Sequence, residues 1–386
     1  MRILLCNFEY PPLGGGGGVI SALLAEELAN RHEITVLTSK ASGLPGTSEI
    51  NGVTVIRVPV LLRHEKAVAS FISMLSYLPA GLRTGKRLLR RAPFDIVNTH
   101  FVVPTGPVGQ GLAREAHVPN VLSVHGGDLY DPSKWTSPHR HVPLRWWIRR
   151  LLRQADAVVV QSLNTLRNIK EYYIPEIECL QIPLGIKRPP LGTALRREYE
   201  CADNDLLLVT VGRMVARKAV DQLVSVTKAL SAEPVHLLII GEGPQGASIR
   251  EKARQLHVAH KIHFLGHVEE HQKFKILRMS DIFVSTSQHE GFGLVFLEAM
   301  ACGLPIVCYD EGGQIDFLKT NRTGYVLPLN NMDAFVSSCH ILMKDVEGRR
   351  RMGRENLRLV EDLFVDRCAQ RYEQVFEQAL GASRSR

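Results

Sequence analysis

Cysteine is sparse and unpatterned in this chain: seven are scattered over 386 residues, at positions 6, 179, 201, 302, 308, 339 and 368. Their number is odd and no two form a C-x-x-C pair, so the spacing indicates neither a disulfide framework nor a zinc site. A reducing cytosol is the expected setting. Long apolar runs are missing too, since none approaches the roughly 18 residues of a membrane-spanning helix. The opening Met1-Arg2-Ile3-Leu4-Leu5 meets Cys6, Asn7 and Glu9 too soon for a signal peptide and reads as a first buried strand. The dinucleotide fingerprint G-x-G-x-x-G is also absent. Gly14 to Gly18 are five glycines in a row, but every register ends on Val19, Ile20 or a later non-glycine. Ser39 stands where an acid should close the second strand, which opposes an NAD site.

What is present is the composition of a globular enzyme, 45% hydrophobic and 22% charged, with a net charge of +8. The excess suits a nucleic acid, an anionic membrane or a phosphorylated substrate, and charge alone does not choose among them. The length calls for two domains. Short β-rich runs at Arg2–Phe8, Glu33–Ser39, Gly52–Val58, Asp95–His100, Val118–Val124 and Ala157–Gln161 alternate with helical patterns, the first from Val19 to Ala29. Near residue 185 the texture changes: Pro183-Leu184-Gly185, Pro189-Pro190 and Gly192 read as a linker. A second series follows, with strands at Leu206–Val211, His236–Ile240, Lys261–Leu265, Ile282–Ser285, Pro305–Cys308 and Gly324–Leu327. The fold class is therefore α/β, two Rossmann-like doubly wound domains, 1–185 and 186–365, facing across a cleft. A terminal helix of about 366–386 is expected to pack back on the first domain.

Candidate chemistry clusters at strand ends. The glycine run lies between a strand and a helix, where bare backbone and a helix N-terminus can meet a phosphate; a flexible loop is the alternative. His125-Gly126-Gly127-Asp128 follows a strand, and His125 there could donate a hydrogen bond to a sugar hydroxyl or the reacting oxygen, or simply fill a turn. Arg213 and Lys218 follow the first strand of the second domain and would neutralise a leaving nucleoside diphosphate, unless they are a solvated loop. Gly241-Glu242-Gly243-Pro244 is a further turn, where a base or ribose could rest. The strongest pattern is Glu290-Gly291-Phe292-Gly293-Leu294-Val295-Phe296-Leu297-Glu298. One carboxylate precedes a helix and the other sits a turn inside it, so the pair can accept from two sets of vicinal hydroxyls. The lone D-x-D, Asp203-Asn204-Asp205, enters a strand rather than leaving one and reads as a turn.

Together these segments resemble glycosyltransferase family 4, retaining enzymes of the GT-B fold, over nearly the whole chain. The resemblance implies a nucleotide-sugar donor, UDP or GDP type, with no essential metal, no other cofactor and no nucleic-acid partner. It gives Arg213 and Lys218 the pyrophosphate, Glu298 the ribose, and Glu290 and the backbone of Phe292, Gly293, Leu294 and Val295 the donor sugar. His125 would sit beside the reacting carbon. Gly17 and Gly18 would approach the phosphates, and Gly243 and the Gly266-His267-Val268 segment would meet the nucleoside, Val268 reading the base. Two departures stand out: Lys218-Ala219 where the family often has Lys-Gly, and Gly312-Gly313-Gln314-Ile315-Asp316 where it has Gly-Gly-x-x-Glu, which leaves a role for Asp316 in doubt.

Rival classes are a nucleotide-sugar epimerase, opposed by the E-x7-E segment, and a non-catalytic anionic-surface binder, which explains the charge but not the glutamates. The acceptor is expected to be a glycan or lipid-linked hydroxyl in envelope glycan, lipopolysaccharide or glycolipid synthesis. A helical wheel over Arg145–Arg153 puts Trp147, Ile148, Leu151 and Leu152 on one side. Arg145, Arg149, Arg150 and Arg153 fall with Trp146 on the other. That face suits peripheral contact with an anionic membrane, placing a cytoplasmic enzyme at the inner face of the plasma membrane. A helix packed on the sheet with solvated arginines is the alternative.

Overall fold

The computed structural model describes residues 1–63, 70–132 and 134–384. The chain forms two compact units, Met1–Lys187 with Phe364–Arg386, and Arg188–Leu363. In the first, the elements run β1 (Arg2–Asn7), α1 (Gly16–Ala29), β2 (Glu33–Lys40), β3 (Thr47–Ile50), β4 (Val53–Pro59), α2 (Phe71–Leu89), β5 (Ile96–His100) and α3 (Gly106–Ala116). They continue with β6 (Asn120–Val124), α4 (Val142–Gln154), β7 (Ala157–Val160), α5 (Leu163–Tyr172) and β8 (Leu180–Gln181). The sheet order is β3-β4-β2-β1-β5-β6-β7-β8, parallel except for the β3–β4 pair. β1 alternates its side chains between two cores. Ile3 and Leu5 meet Leu24 and Leu28 of α1, while Leu4 and Cys6 meet Tyr77 of α2 and Leu112 of α3. Helices on both faces explain why the central strands read as unbroken apolar runs.

The second unit runs β9 (Leu206–Val211), α6 (Val220–Ala229), β10 (Val235–Ile240), α7 (Gly246–Gln255), β11 (Ile262–Gly266), α8 (Glu270–Met279), β12 (Ile282–Ser285) and α9 (Leu294–Ala301). Then come β13 (Ile306–Tyr309), β14 (Gly324–Leu327), α10 (Met332–Lys344) and α11 (Val346–Val360). All six strands are parallel, in the order β11-β10-β9-β12-β13-β14. α12 (Val365–Arg384) returns to the first unit, where Tyr372 and Phe376 join the α1 core. The last two residues of the expected terminal helix, 385 and 386, lie outside the described residues.

One sequence expectation needs correction, and two short strands were not foreseen. The glycine run is not all loop: Gly16–Gly18 form the first turn of α1, and the Ser21 hydroxyl bonds back to the Gly17 carbonyl. Glycine is a poor helix former, but this turn rides on a helix anchored by Leu24, Ala25 and Leu28, all essentially inaccessible to solvent. The sequence also gave no sign of β3 and β8, an edge hairpin strand with half-exposed polar residues and a two-residue strand.

Candidate active site

A doubly wound sheet binds ligands where strand order reverses, beyond the carboxyl ends of the strands. In the second unit that point lies between β9 and β12, and the loops leaving these two strands carry the charged cluster. After β9, Ala216–Lys218 make one 3-10 turn, closed by Ala219 at φ 44. This left-handed position is one a Cβ makes costly, so glycine would adopt it with less strain than Ala219 does. After β12, the Glu290 backbone is fixed from both sides. Its N–H donates to the Glu311 carbonyl at 3.2 Å, and its carbonyl accepts from the Gly313 N–H at 2.9 Å. A Cβ on Gly312 would collide with the Glu290 backbone, so glycine is required there.

Lys218 and Glu290, read from sequence as ligands for different parts of a donor, form an ion pair with each other. Arg217 joins them, 3.3 Å from the second Glu290 oxygen, and its guanidinium also donates to the His289 carbonyl. Only 8% of the Glu290 side chain is exposed. Burial pushes its carboxyl up, but the Lys218 and Arg217 charges outweigh that and hold it at about 2. Arg217 was missed in the sequence because only its loop position, next to Lys218, hinted at a role. Gly293, at φ 93, ends the loop and leaves the α9 N-terminus without a side-chain cap. Leu294 and Val295 form the first turn, and Phe292 is buried beside Phe317, ring centroids 5.2 Å apart.

Glu298, inside α9, pairs with Lys273 of α8 at 2.7 Å, a partner 25 residues away that no local pattern marks. Its other oxygen is buried with no hydrogen-bond partner. Burial raises this carboxyl and Lys273 opposes the rise. An orphaned buried acceptor is a place for hydroxyl donors. Arg213 is exposed, and its side chain has no hydrogen-bond or ion-pair partner among the described residues. Gly243 is glycine for a reason other than room for a base: its Cβ would strike the Met214 backbone, which binds the same turn through Met214 N–H to Glu242 O at 3.0 Å. Val268 is half-buried just before α8.

In the first unit the reversal lies between β1 and β5, and the residues after these strands meet. A Cβ on Gly17 would run into the Phe101 ring, and one on Gly18 would lie 2.9 Å from the Leu13 carbonyl oxygen. Phe101 in turn lies against the His125 ring, centroids 4.5 Å apart. The His125 protons can be placed by following one chain of bonds. Asn98 Nδ2 donates to the Val121 carbonyl at 3.1 Å, which can only accept, so its Oδ1 faces His100 Nε2 at 2.7 Å. His100 Nε2 therefore carries a proton and Nδ1 is bare, because burial holds this imidazole well below its usual range and neutral. That bare Nδ1 accepts from His125 Nε2–H at 2.9 Å. Burial pushes His125 down to about 4, so its remaining atom, Nδ1, is an unprotonated lone pair. It is buried and without a partner. Sequence reasoning expected His125 to donate; in this arrangement it accepts, and a hydroxyl would be the donor. Asp128 holds the loop by accepting from the Val102 and His125 N–H groups at 2.7 and 3.1 Å, and the Gln161 amide donates to the His125 carbonyl.

The α4 helix is less available than its wheel suggested. Ile148, Leu151 and Leu152 are buried, Trp147 packs against that core, and Trp146 is 62% exposed. Arg149, however, donates to the Tyr173 carbonyl at 2.7 Å, so its charge is partly committed. Among the described residues no helix is long and apolar enough to cross a membrane.

Residues 14–188 match the profile of Glycosyltransferase Family 4, and residues 193–358 that of Glycosyl transferases group 1. The chain is 28% identical over 390 residues to the N-acetyl-alpha-D-glucosaminyl L-malate synthase of Bacillus anthracis, covering 96% of each chain. It is 26% identical, over 91% of each chain, to the GDP-mannose-dependent alpha-(1-6)-phosphatidylinositol monomannoside mannosyltransferase of Mycolicibacterium smegmatis. Among solved structures, the sucrose-phosphate synthase of Thermosynechococcus elongatus superposes with a TM-score of 0.84 at 21% identity, covering 99% of this chain and 100% of that one.

Proposed function

We infer the reaction from one premise: the chain belongs to the glycosyltransferases of the family 4 type, built on the GT-B fold. It transfers a sugar from a nucleoside-diphosphate donor, UDP or GDP type, to an acceptor hydroxyl, with retention of the anomeric configuration. The observation that carries this reading is the buried Lys218–Glu290 pair at the strand-order reversal of the second unit. A cation and a carboxylate held together at that point are matched to the two ends of such a donor. Lys218, with Arg213 and the N-terminus of α9, takes the diphosphate charge that grows as the glycosidic bond breaks. Glu290 and the backbone from Phe292 to Val295 hold the sugar, and the unpartnered oxygen of Glu298 accepts from the ribose hydroxyls. Gly243 and Val268 border the nucleoside. Taken by itself, the first unit has an α1 N-terminus at Gly17 and Gly18 suited to a phosphate, and a His125 Nδ1 suited to accept from a sugar hydroxyl.

No side chain acts as covalent nucleophile. The acceptor oxygen attacks on the leaving group's own face and its proton passes to a phosphate oxygen, so the protein contributes position and charge. In this reading Lys218, Arg213 and the α9 N-terminus take the leaving group's charge, a role a metal ion would otherwise fill. The acceptor is a glycan or lipid-linked hydroxyl, as in envelope glycan, lipopolysaccharide or glycolipid synthesis, met by a cytoplasmic enzyme at the inner membrane face. The phosphatidylinositol mannoside in the mycobacterial relative's name supports a lipid-linked acceptor.

A thermal-shift series with UDP, GDP and ADP selects the base, since a ligand of the folded state raises the melting point. Hydrolysis of the matching labelled nucleotide sugar then follows, with NMR of the product. An inverted anomeric centre, or no shift with any nucleoside diphosphate, overturns the reading.

A further inference from the structure

The opposite end of the second unit's sheet carries a cluster that the transfer reaction does not use. His236 is the second residue of β10 and His263 the second of β11. The register pairs Leu238 with His263, so both imidazoles leave the same face, two residues apart along the strands. Leu237 and Ile239 turn the other way, into the core. Cys201 arrives from the segment before β9, where Arg196–Tyr199 make a 3-10 turn and Glu200 adopts φ 56. His236 Nδ1 lies 3.0 Å from His263 Nε2, and Cys201 Sγ lies 3.8 Å from the same nitrogen. All three ligand atoms fall within 4.8 Å of one another.

We infer that Cys201, His236 and His263 form a zinc(II) site. A tetrahedral zinc with its usual bond lengths sets nitrogen pairs about 3.4 Å apart and nitrogen–sulfur pairs about 3.6 Å apart. The two measured separations differ from these by a few tenths of an ångström. The second shell is present as well: His236 Nε2 lies 3.3 Å from Asp205 Oδ2, and Asp205 is itself held by the Ala202 N–H at 2.7 Å. That carboxylate keeps the proton on Nε2 and turns the Nδ1 lone pair toward the other two groups, the arrangement that orients a zinc-bound imidazole. On binding, the Cys201 thiol proton goes to solvent and the His263 proton moves from Nε2 to Nδ1, leaving three ligands and one position for water. One thiolate with two imidazoles is a set that suits zinc over magnesium or calcium. Separations of 62 residues between Cys201 and His263 and 27 between the histidines hide the site from motif reading. The bound metal would pin the segment before β9 to β10 and β11.

The test uses the full chain, stripped with chelator and titrated with zinc alone against a chromophoric competitor. One equivalent should bind with Kd below about 1 μM, and zinc should raise the melting temperature. Cobalt(II) in its place should give the near-ultraviolet thiolate charge-transfer band and the strong visible bands of four-coordination. Cys201→Ser and His263→Gln should abolish both signals, and Asp205→Asn should weaken zinc binding by about ten-fold. Far-UV circular dichroism checks each variant's fold, and Asp205→Asn, which removes no ligand, decides the question if the other two fail to fold. Failure to hold zinc against the competitor overturns the site and leaves only a hydrogen-bonded histidine pair. So does affinity unchanged in every folded variant. Either result leaves the transfer reading untouched.

Discussion

Lys218 and Glu290 should affect nucleotide binding in opposite directions, although they form one ion pair. Lys218→Met keeps much of the buried stem and removes the charge. The charge-assisted contact it loses is worth about 1.5–3 kcal/mol, so affinity for the preferred nucleoside diphosphate should fall roughly ten- to hundred-fold. Glu290→Gln has nearly the same shape but frees Lys218 from a partner that the diphosphate must otherwise share. Affinity for the sugar-free diphosphate should therefore hold or rise by up to about ten-fold, while transfer falls because the sugar loses its carboxylate. Stability gives a second axis. Moving the Glu290 carboxyl from its usual 4.5 to about 2 corresponds to a net stabilisation of about 3 kcal/mol, what the cations contribute beyond the cost of burial. Little of this is lost to solvent screening, since the side chain is 8% exposed. Lys218→Met should lose only part of it, because Arg217 remains within 3.3 Å. Isothermal calorimetry of both single variants and the double variant, with denaturant unfolding alongside, measures every corner of the cycle. If both single variants weaken the sugar-free nucleotide alike, or neither changes it, the assignment of Lys218 to the diphosphate and Glu290 to the sugar fails.

The same carboxyl sets an acid limit. Its depressed value stabilises the fold fully above about pH 4.5 and is lost as pH falls toward 2, so Glu290→Gln should flatten the wild-type decline in that window; parallel curves would refute this. His125→Ala should lower turnover more than nucleotide affinity. His100→Phe should reduce turnover by about ten-fold with nucleotide affinity unchanged, and nitrogen NMR of the wild type should report His125 Nδ1 unprotonated; a protonated Nδ1 would contradict the bond chain from Asn98. Turnover at 25 °C should survive EDTA, and a loss restored by magnesium or manganese would place a metal in the transfer step.

Strand–helix alternation is strong enough in this chain to give both doubly wound sheets, because their central strands are buried on both faces and read as continuous apolar runs. The elements that escaped are those whose cause is not local. Thr47–Ile50 is polar and short, and becomes a strand only because β4 offers it an antiparallel edge. Gly16–Gly18 have low helix propensity and enter α1 because its buried face is packed on the sheet, a tertiary gain that outweighs propensity.

The candidate site divides along a different line. Residue types at strand ends were legible, since strand–helix alternation and the spacing of Glu290 and Glu298 locate them without reference to any partner. Protonation and pairing were not, because they depend on partners brought by the fold. Lys218 and Glu290 are 72 residues apart and Lys273 and Glu298 25 apart. The tautomer of His125 is set through His100 by the Asn98 amide, which is fixed in turn by the carbonyl of Val121 on the neighbouring strand. That chain reverses the expected polarity of the histidine, from donor to acceptor, without changing a residue of the motif. A motif therefore names the groups at such a site, while the direction of each hydrogen bond is a property of the sheet that orders their neighbours.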